Sequence, residues 1–382
     1  MSSESSEQSP KQSNGAILVD RDLRAGLGTW VTARSGAPAI DAQQVQPASL
    51  DLRLGPTAYR VRAGFLPSAA PLEERLEKLA TSTLSLEGGG AVLERGLVYL
   101  VPLEEEFALP ADVHGRFNPR SSTGRCDIFT RILCPGHQRF DELPKGYRGT
   151  VWLEIAPLSF PIRLRRGDRM CQVRLQRGRA ALSRAELQAA HDETPLCFLG
   201  DEPVPSDEVR FDNDGGIELS LGLAQREPAG WHASQHSEVV DFGADGHHDP
   251  RDFFDPVQAH DGHCILEPGS FYIFASKERI SIPPHLVAEM LPVDVGIGEL
   301  RNNYAGFFDS GFGWNASGPS TGTPAVLEVR AHDVPFLVED GQVFFRLRFS
   351  RTTGPPEQIY GQGREAHSYR NQDLTLGRMF RR

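Results

Sequence analysis

The chain has 382 residues, with 40 Lys and Arg against 51 Asp and Glu and a formal net charge of −11. That length exceeds what one ordinary core organises and leaves room for two domains. The acidic balance excludes a sequence-independent nucleic-acid binder, and no apolar run approaches the roughly 20 residues that span a bilayer.

Nearly all positive charge is arginine, since only Lys11, Lys78, Lys145 and Lys277 are lysines. Arginine favours forked contacts to carboxylate or phosphate. Cys126, Cys134, Cys171, Cys197 and Cys264 are scattered without a C-x-x-C, so free thiols in a reducing cytoplasm are expected. Residues 1–15 are mostly Ser, Glu and Gln and read as a disordered leader, not a signal peptide. Asp20-Arg21-Asp22-Leu23 predicts a short capped helix, and Gln46-Pro47-Ala48-Ser49-Leu50-Asp51-Leu52-Arg53-Leu54-Gly55 alternates like a half-buried strand. Residues 71–80 (PLEERLEKLA) predict an amphipathic helix, and residues 183–191 (SRAELQAAH) a second one with a Ser N-cap. Between them lie many short apolar runs separated by Gly, Pro and charged turns, the pattern of an all-β barrel or sandwich.

The second half replays the first. Leu93-Glu94-Arg95-Gly96 recurs as Leu266-Glu267-Pro268-Gly269 and Leu109-Pro110 as Ile282-Pro283, both at an offset of 173. Val151-Trp152-Leu153-Glu154-Ile155 recurs as Ala325-Val326-Leu327-Glu328-Val329, and Gly167 as Gly341, at 174. Ile217-Glu218-Leu219-Ser220-Leu221-Gly222 matches Leu50–Gly55 at 167. A tandem duplication of one β-domain follows, with residues 16–192 and 193–382 as the two units. The connector 193–261 holds sixteen acids against three arginines and reads as the opening strands of the second unit plus solvated loop.

Two stretches carry chemistry. Pro119-Arg120-Ser121-Ser122-Thr123-Gly124-Arg125 clusters hydroxyls and guanidiniums as a phosphate or oxyanion cradle does. About twenty residues later, Gly146-Tyr147-Arg148-Gly149 leads into a strand with one carboxylate, Glu154, which must be paired or poised for chemistry. The second half keeps Glu328, but Pro292 is followed by Val293-Asp294-Val295-Gly296 and the Ser-Ser pair is gone. The working site is therefore expected in the first barrel, with the second structural or supplying other parts. Asp309-Ser310-Gly311-Phe312-Gly313 reads as a remnant turn, and Arg163, Arg165, Arg166 and Arg169 as a solvent face. His236-Ser237-Glu238 matches H-x-E by chance, because the zinc deaminase signature also needs P-C-x-x-C. His247, His248, His260 and His263 lack regular ligand spacing.

The Ser49–Gly55 stretch, the R-S-S-x-x-R element, the Gly-rich turn into Leu153-Glu154, and Arg166-Gly167-Asp168-Arg169-Met170-Cys171-Gln172 together resemble the dCTP deaminases of the dUTPase-like superfamily, in a long, duplicated form. The resemblance implies two tandem jelly-roll-type barrels, the second degenerate, and a homotrimer with sites between subunits. It implies hydrolytic deamination of dCTP to dUTP without zinc, Mg²⁺ carried by the triphosphate, and dTTP as an inhibitor. Carried over, Glu154 is the general base, with Ser121 and Arg125 supporting the reacting centre. Arg120, Ser122, Asp141 and Gln172 contact substrate, and Tyr360, Tyr369 and Gln372 belong to a closing C-terminal arm. Ser368 stands where the family carries Lys. The alternatives are a dUTP diphosphatase, an enzyme performing both steps, and an inactive nucleotide-binding module.

Overall fold

The structure, a computed structural model, describes residues 15–67, 72–292, 301–302, 306–331, 333–362, 369 and 372–382. Residues 1–14, residues 293–300, which stand in sequence where the first half has the Ser-Ser element, and Ser368, Arg370 and Asn371 lie outside the described residues.

The first half folds as two facing antiparallel layers. In one, Arg169–Arg177 is central and pairs with Val113–Pro119, Leu50–Arg53 and Ala16–Ile17. In the other, Arg148–Pro157 lies between Val98–Ala108 and Ile128–Leu133. The second half repeats this plan, with Val343–Arg351 between Gly216–Ser220 and Leu286–Pro292, and with Thr323–Arg330 on Phe271–Ile280. The expected helices form at Asp20–Gly26, Leu72–Leu79 and Arg184–Glu193, the last closed by a Ser183–Glu186 capping box. A fourth, Ser121–Gly124, falls within the arginine–serine element. Among the described residues no helix is long and apolar enough to cross a membrane.

The duplication is visible at single hydrogen bonds. Tyr99 OH accepts from Glu94 N at 3.0 Å, and Tyr272 OH accepts from Glu267 N at 2.9 Å. Gly167 N donates to Leu54 O and Gly341 N to Leu221 O, both at 2.8 Å. Gly55 is required because a Cβ there would stand 2.5 Å from Pro102 O.

The acidic connector is more than solvated loop. Val240–Asp241 pairs in parallel with Ile162–Leu164 of the first barrel, and Phe242, Phe253 and Phe254 are buried in the first barrel's core. Isolated apolar residues among acids have no readable period, so their burial depends on a partner distant in sequence. The arginine run is likewise structured: Arg165 forks onto Asp241 at 2.5 and 2.7 Å, and Arg166 binds Glu104 at 2.7 Å.

The two barrels use equivalent faces differently. Ile273 and Val326, on the second barrel, pack into the cluster built on the first. Their counterparts Leu100 and Trp152 are instead covered by Leu72 and Leu76 of the chain's own helix Leu72–Leu79.

Candidate active site

The arginine–serine element sits where Val113–Pro119 ends beside Arg169–Arg177, with Pro119 opposite Cys171. Arg120 N and Thr123 Oγ1 both donate to Met170 O, at 2.9 and 2.7 Å, which pins the short helix to the neighbouring strand. Arg120 Nε lies 3.4 Å from Asp51 Oδ1, and Ser49 Oγ donates to Gln172 Oε1 at 3.0 Å. The Ser49–Gly55 strand is therefore the floor under the element.

A cavity of about 710 Å³ opens over this floor, between the barrels. That size suits a nucleotide. Ser121, Arg125, Arg120, Ser122 and Gln172 line it, as do Tyr360, Tyr369 and Gln372 of the C-terminal arm. Arg125 Nη2 donates to Gln372 Oε1 at 2.5 Å and Nη1 to Thr375 O at 2.6 Å, while its guanidinium lies 3.9 Å over the Tyr369 ring. Ser122 Oγ and Tyr369 OH share a 2.7 Å hydrogen bond. Tyr360 OH accepts from Tyr369 N at 3.1 Å, and burial pushes the Tyr360 hydroxyl up to about 12. The arm thus closes on its own chain's arginine.

Glu154 and Asp141 are not brought to this cavity. Arg131, opposite Glu154 on the adjacent strand, holds Glu154 Oε1 through Nη2 at 2.5 Å and Nε at 2.9 Å. The backbone of Gly64 closes over the same carboxylate, so that a Cβ there would stand 2.3 Å from Oε2. Asp141 serves a turn: its φ is 59°, Oδ1 accepts from Ile132 N at 2.7 Å, and burial raises its carboxyl to about 7.

The glutamate that lines this cavity with Ser121 and Arg125 is Glu328, from the second barrel. Its Oε1 lies 3.9 Å from Arg125 Nε, and the two side chains are only 7% and 4% exposed. Burial raises the Glu328 carboxyl to about 8, outweighing the opposing pull of Arg125. The expectation placed the site in the first barrel, with the second structural or supplying other parts; the structure puts Glu328 of the second barrel in the cavity lining and leaves Glu154 outside it. The element and the carboxylate come from different copies, because the second barrel docks its Glu328 strand onto the first barrel's motif face. Asp309 and Phe312, read as a remnant turn, also line the cavity. Arg174 holds Asp309 Oδ1 at 2.7 Å. A sequence signal for this division existed: the second half lost the Ser-Ser pair but kept Glu328 and the Asp309 turn.

Among the described residues, no group of three or more His, Cys, Asp or Glu side chains is arranged to hold a metal ion. His236 and Glu238 lie outside the cavity lining. His248 Nε2 accepts from Asp241 N at 2.9 Å.

Two tandem dUTPase-like barrels with a nucleotide-sized cavity between them define a member of the dUTPase-like superfamily. Residues 17–179 match the 2'-deoxycytidine 5'-triphosphate deaminase (DCD) N-terminal domain, and residues 183–380 match its C-terminal domain. The chain belongs to the dCTP deaminase family. A crystal structure of 2'-deoxycytidine 5'-triphosphate deaminase from Agrobacterium tumefaciens superposes with a TM-score of 0.81 at 42% identity, over 89% of this chain and 100% of that one. The "dCTP deaminase, dUMP-forming" of Methanosphaera stadtmanae is 27% identical over 201 residues, 52% of this chain and 96% of its own. That of Corynebacterium kroppenstedtii is 32% identical over 149 residues, 39% of this chain and 74% of its own.

Proposed function

We propose that the chain deaminates dCTP hydrolytically to dUTP and ammonia, with Glu328 as the proton-transfer group. The observation that carries this is the buried pairing of Arg125 with Glu328, 3.9 Å apart, in a cavity that the exposed Ser121 also lines. Hydrolysis adds a water oxygen to cytosine C4 and breaks the C4–N4 bond. Glu328 takes a proton from the attacking water and passes it toward the leaving nitrogen, a task suited to a carboxyl whose pKa lies near neutrality. Arg125 and Ser121 supply donors for charge that develops at the tetrahedral centre. Arg120 and Arg169, both on the lining, favour the triphosphate end, and the substrate is the Mg²⁺ complex of dCTP. Tyr369 and Gln372, held against Ser122 and Arg125, shield the Arg125–Glu328 pair from solvent. Ser121, Arg125 and Glu328 all come from one chain.

The relatives named dUMP-forming favour a second reading, in which the same cavity also removes pyrophosphate from dUTP. Incubation with dCTP and Mg²⁺, followed by separation of nucleotides, distinguishes the two. Accumulated dUTP supports deamination alone, dUMP supports both steps, and untouched dCTP overturns the proposal.

A further inference from the structure

A second cavity, of about 380 Å³, lies between the barrels where the strands Arg169–Arg177 and Val343–Arg351 face each other. Five arginines line it, Arg116, Arg174, Arg179, Arg346 and Arg348, against three carboxylates. Those carboxylates are already shared. Glu289 serves both Arg348 at 2.8 Å and Arg116 at 3.4 Å. Asp212 and Asp214 both serve Arg346, at 3.0 and 3.2 Å, and Asp212 also accepts from Asp214 N and Gly216 N, at 2.7 and 2.8 Å. Arg179 makes no ion pair among the described residues, and Nε of both Arg174 and Arg346 is buried with no hydrogen-bond partner. Positive charge held in excess, with buried N–H donors left over, is the chemistry of an oxyanion receptor.

We propose that this junction cavity is a second anion site, separate from the nucleotide cavity, that takes inorganic phosphate or pyrophosphate. A nucleoside is disfavoured because the one aromatic ring on the lining, Phe307, already carries the Arg174 guanidinium at 4.0 Å and offers that face to no base.

The site communicates with the first cavity. Phe307 lines both. Arg174 lines the second while its Nη2 holds Asp309, which lines the first, at 2.7 Å. An anion near Arg174 competes with Asp309 for the same guanidinium and so alters the wall of the nucleotide cavity.

Calorimetric titration of the full chain with pyrophosphate tests this without reference to turnover. Arg116 and Arg179 are exposed at the rim and outside the catalytic corner, so the Arg116→Ala/Arg179→Ala variant is expected to keep its basal activity and melting temperature. The wild type is expected to bind two equivalents, one per cavity. In the double variant one class weakens about tenfold or more, as the loss of charge-assisted contacts implies. In Arg120→Ala that class persists. Pyrophosphate should also change the KM for dCTP through a component that the double variant lacks. If the double variant misfolds, Arg179→Glu alone is titrated in its place. Nucleotide arms separate the sources: dCTP should leave the second class free, and a nucleoside triphosphate filling both cavities would overturn the choice of ligand. Binding of a single equivalent that Arg120→Ala abolishes, or a double variant that binds as the wild type does, would overturn the site itself.

Discussion

Arg125 Nε and Glu328 Oε1 stand 3.9 Å apart, although the arginine ends the motif of the first barrel and the glutamate lies on a central strand of the second. Arg125 Nε is buried and has no hydrogen-bond partner, so it is still available to a reacting group. The pairing gives different surroundings to two glutamates that sequence position alone makes equivalent.

The first expected outcome concerns that assignment. Glu328→Gln should lower kcat for dCTP by about 10²–10⁴-fold, the range for loss of a general acid–base group. Glu154→Gln replaces the carboxylate that accepts from Arg131 with a neutral amide, removes the ion pair and should act mainly on stability. Ammonia release measured on both variants checks this, and an inactive Glu154→Gln beside an active Glu328→Gln would reverse the roles.

A second outcome is the pH profile. With the Glu328 carboxyl raised to about 8, the ionised base becomes abundant only above that pH, so kcat/KM should rise through an acid limb near it. Stability moves in the opposite direction. The folded state holds a proton that the unfolded chain releases near 4.5, so this contribution is complete below that pH and is lost as pH rises through about 8. Asp141 and Asp168 are raised to about 7 and 6 and act with the same sign. The difference in melting temperature between wild type and Glu328→Gln, followed across pH, isolates the Glu328 share.

The closing arm gives a third. Tyr369→Phe deletes the hydroxyl bound to Ser122 while keeping a ring under Arg125. One hydrogen bond of this kind contributes about 0.5–1.5 kcal/mol, so KM should rise by roughly two- to tenfold. Gln372→Ala should cost more, since Gln372 binds both Arg125 and Pro324 O. Steady-state kinetics with dCTP provides the comparison.

A fourth concerns the junction of the barrels. Arg330 of the second barrel pairs with Asp127 and contacts Ser159 of the first, and the Asp127 side chain is fully buried. Arg330→Met leaves that carboxylate without its guanidinium and should destabilise by about 3–5 kcal/mol. Adding Asp127→Asn should recover much of the loss. Urea unfolding of the single and double variants measures both.

Much of the fold was legible. Alternating runs gave the strands, Gly167 and Gly341 marked matching turns, and the near-constant offset exposed the duplication. The floor of the site was legible too, because Ser49, Asp51, Arg120 and Gln172 lie in recognisable motifs that pair as strands. The partner of Arg125 was harder to read. Glu154 and Glu328 have the same local pattern, and what separates them is which barrel face docks on which, a property of packing and not of periodicity. Phe242 and Phe253 eluded the same reading, as single apolar residues in an acidic stretch whose contacts lie across the junction.

The helix Leu72–Leu79 occupies the face of the first barrel that corresponds to the docking face of the second. That face is thereby covered within the chain, and among the described residues Ser121, Arg125 and Glu328 line one composite cavity, so one dCTP per chain should bind there at saturation. In a ring of identical barrels every substitution is imposed on both walls of each site. Here the two walls are inherited separately: a change at Ser121 alters one wall and a change at Glu328 the other. The first barrel's own glutamate pairs with Arg131 instead, and the sequence of the second half lacks the Ser-Ser pair.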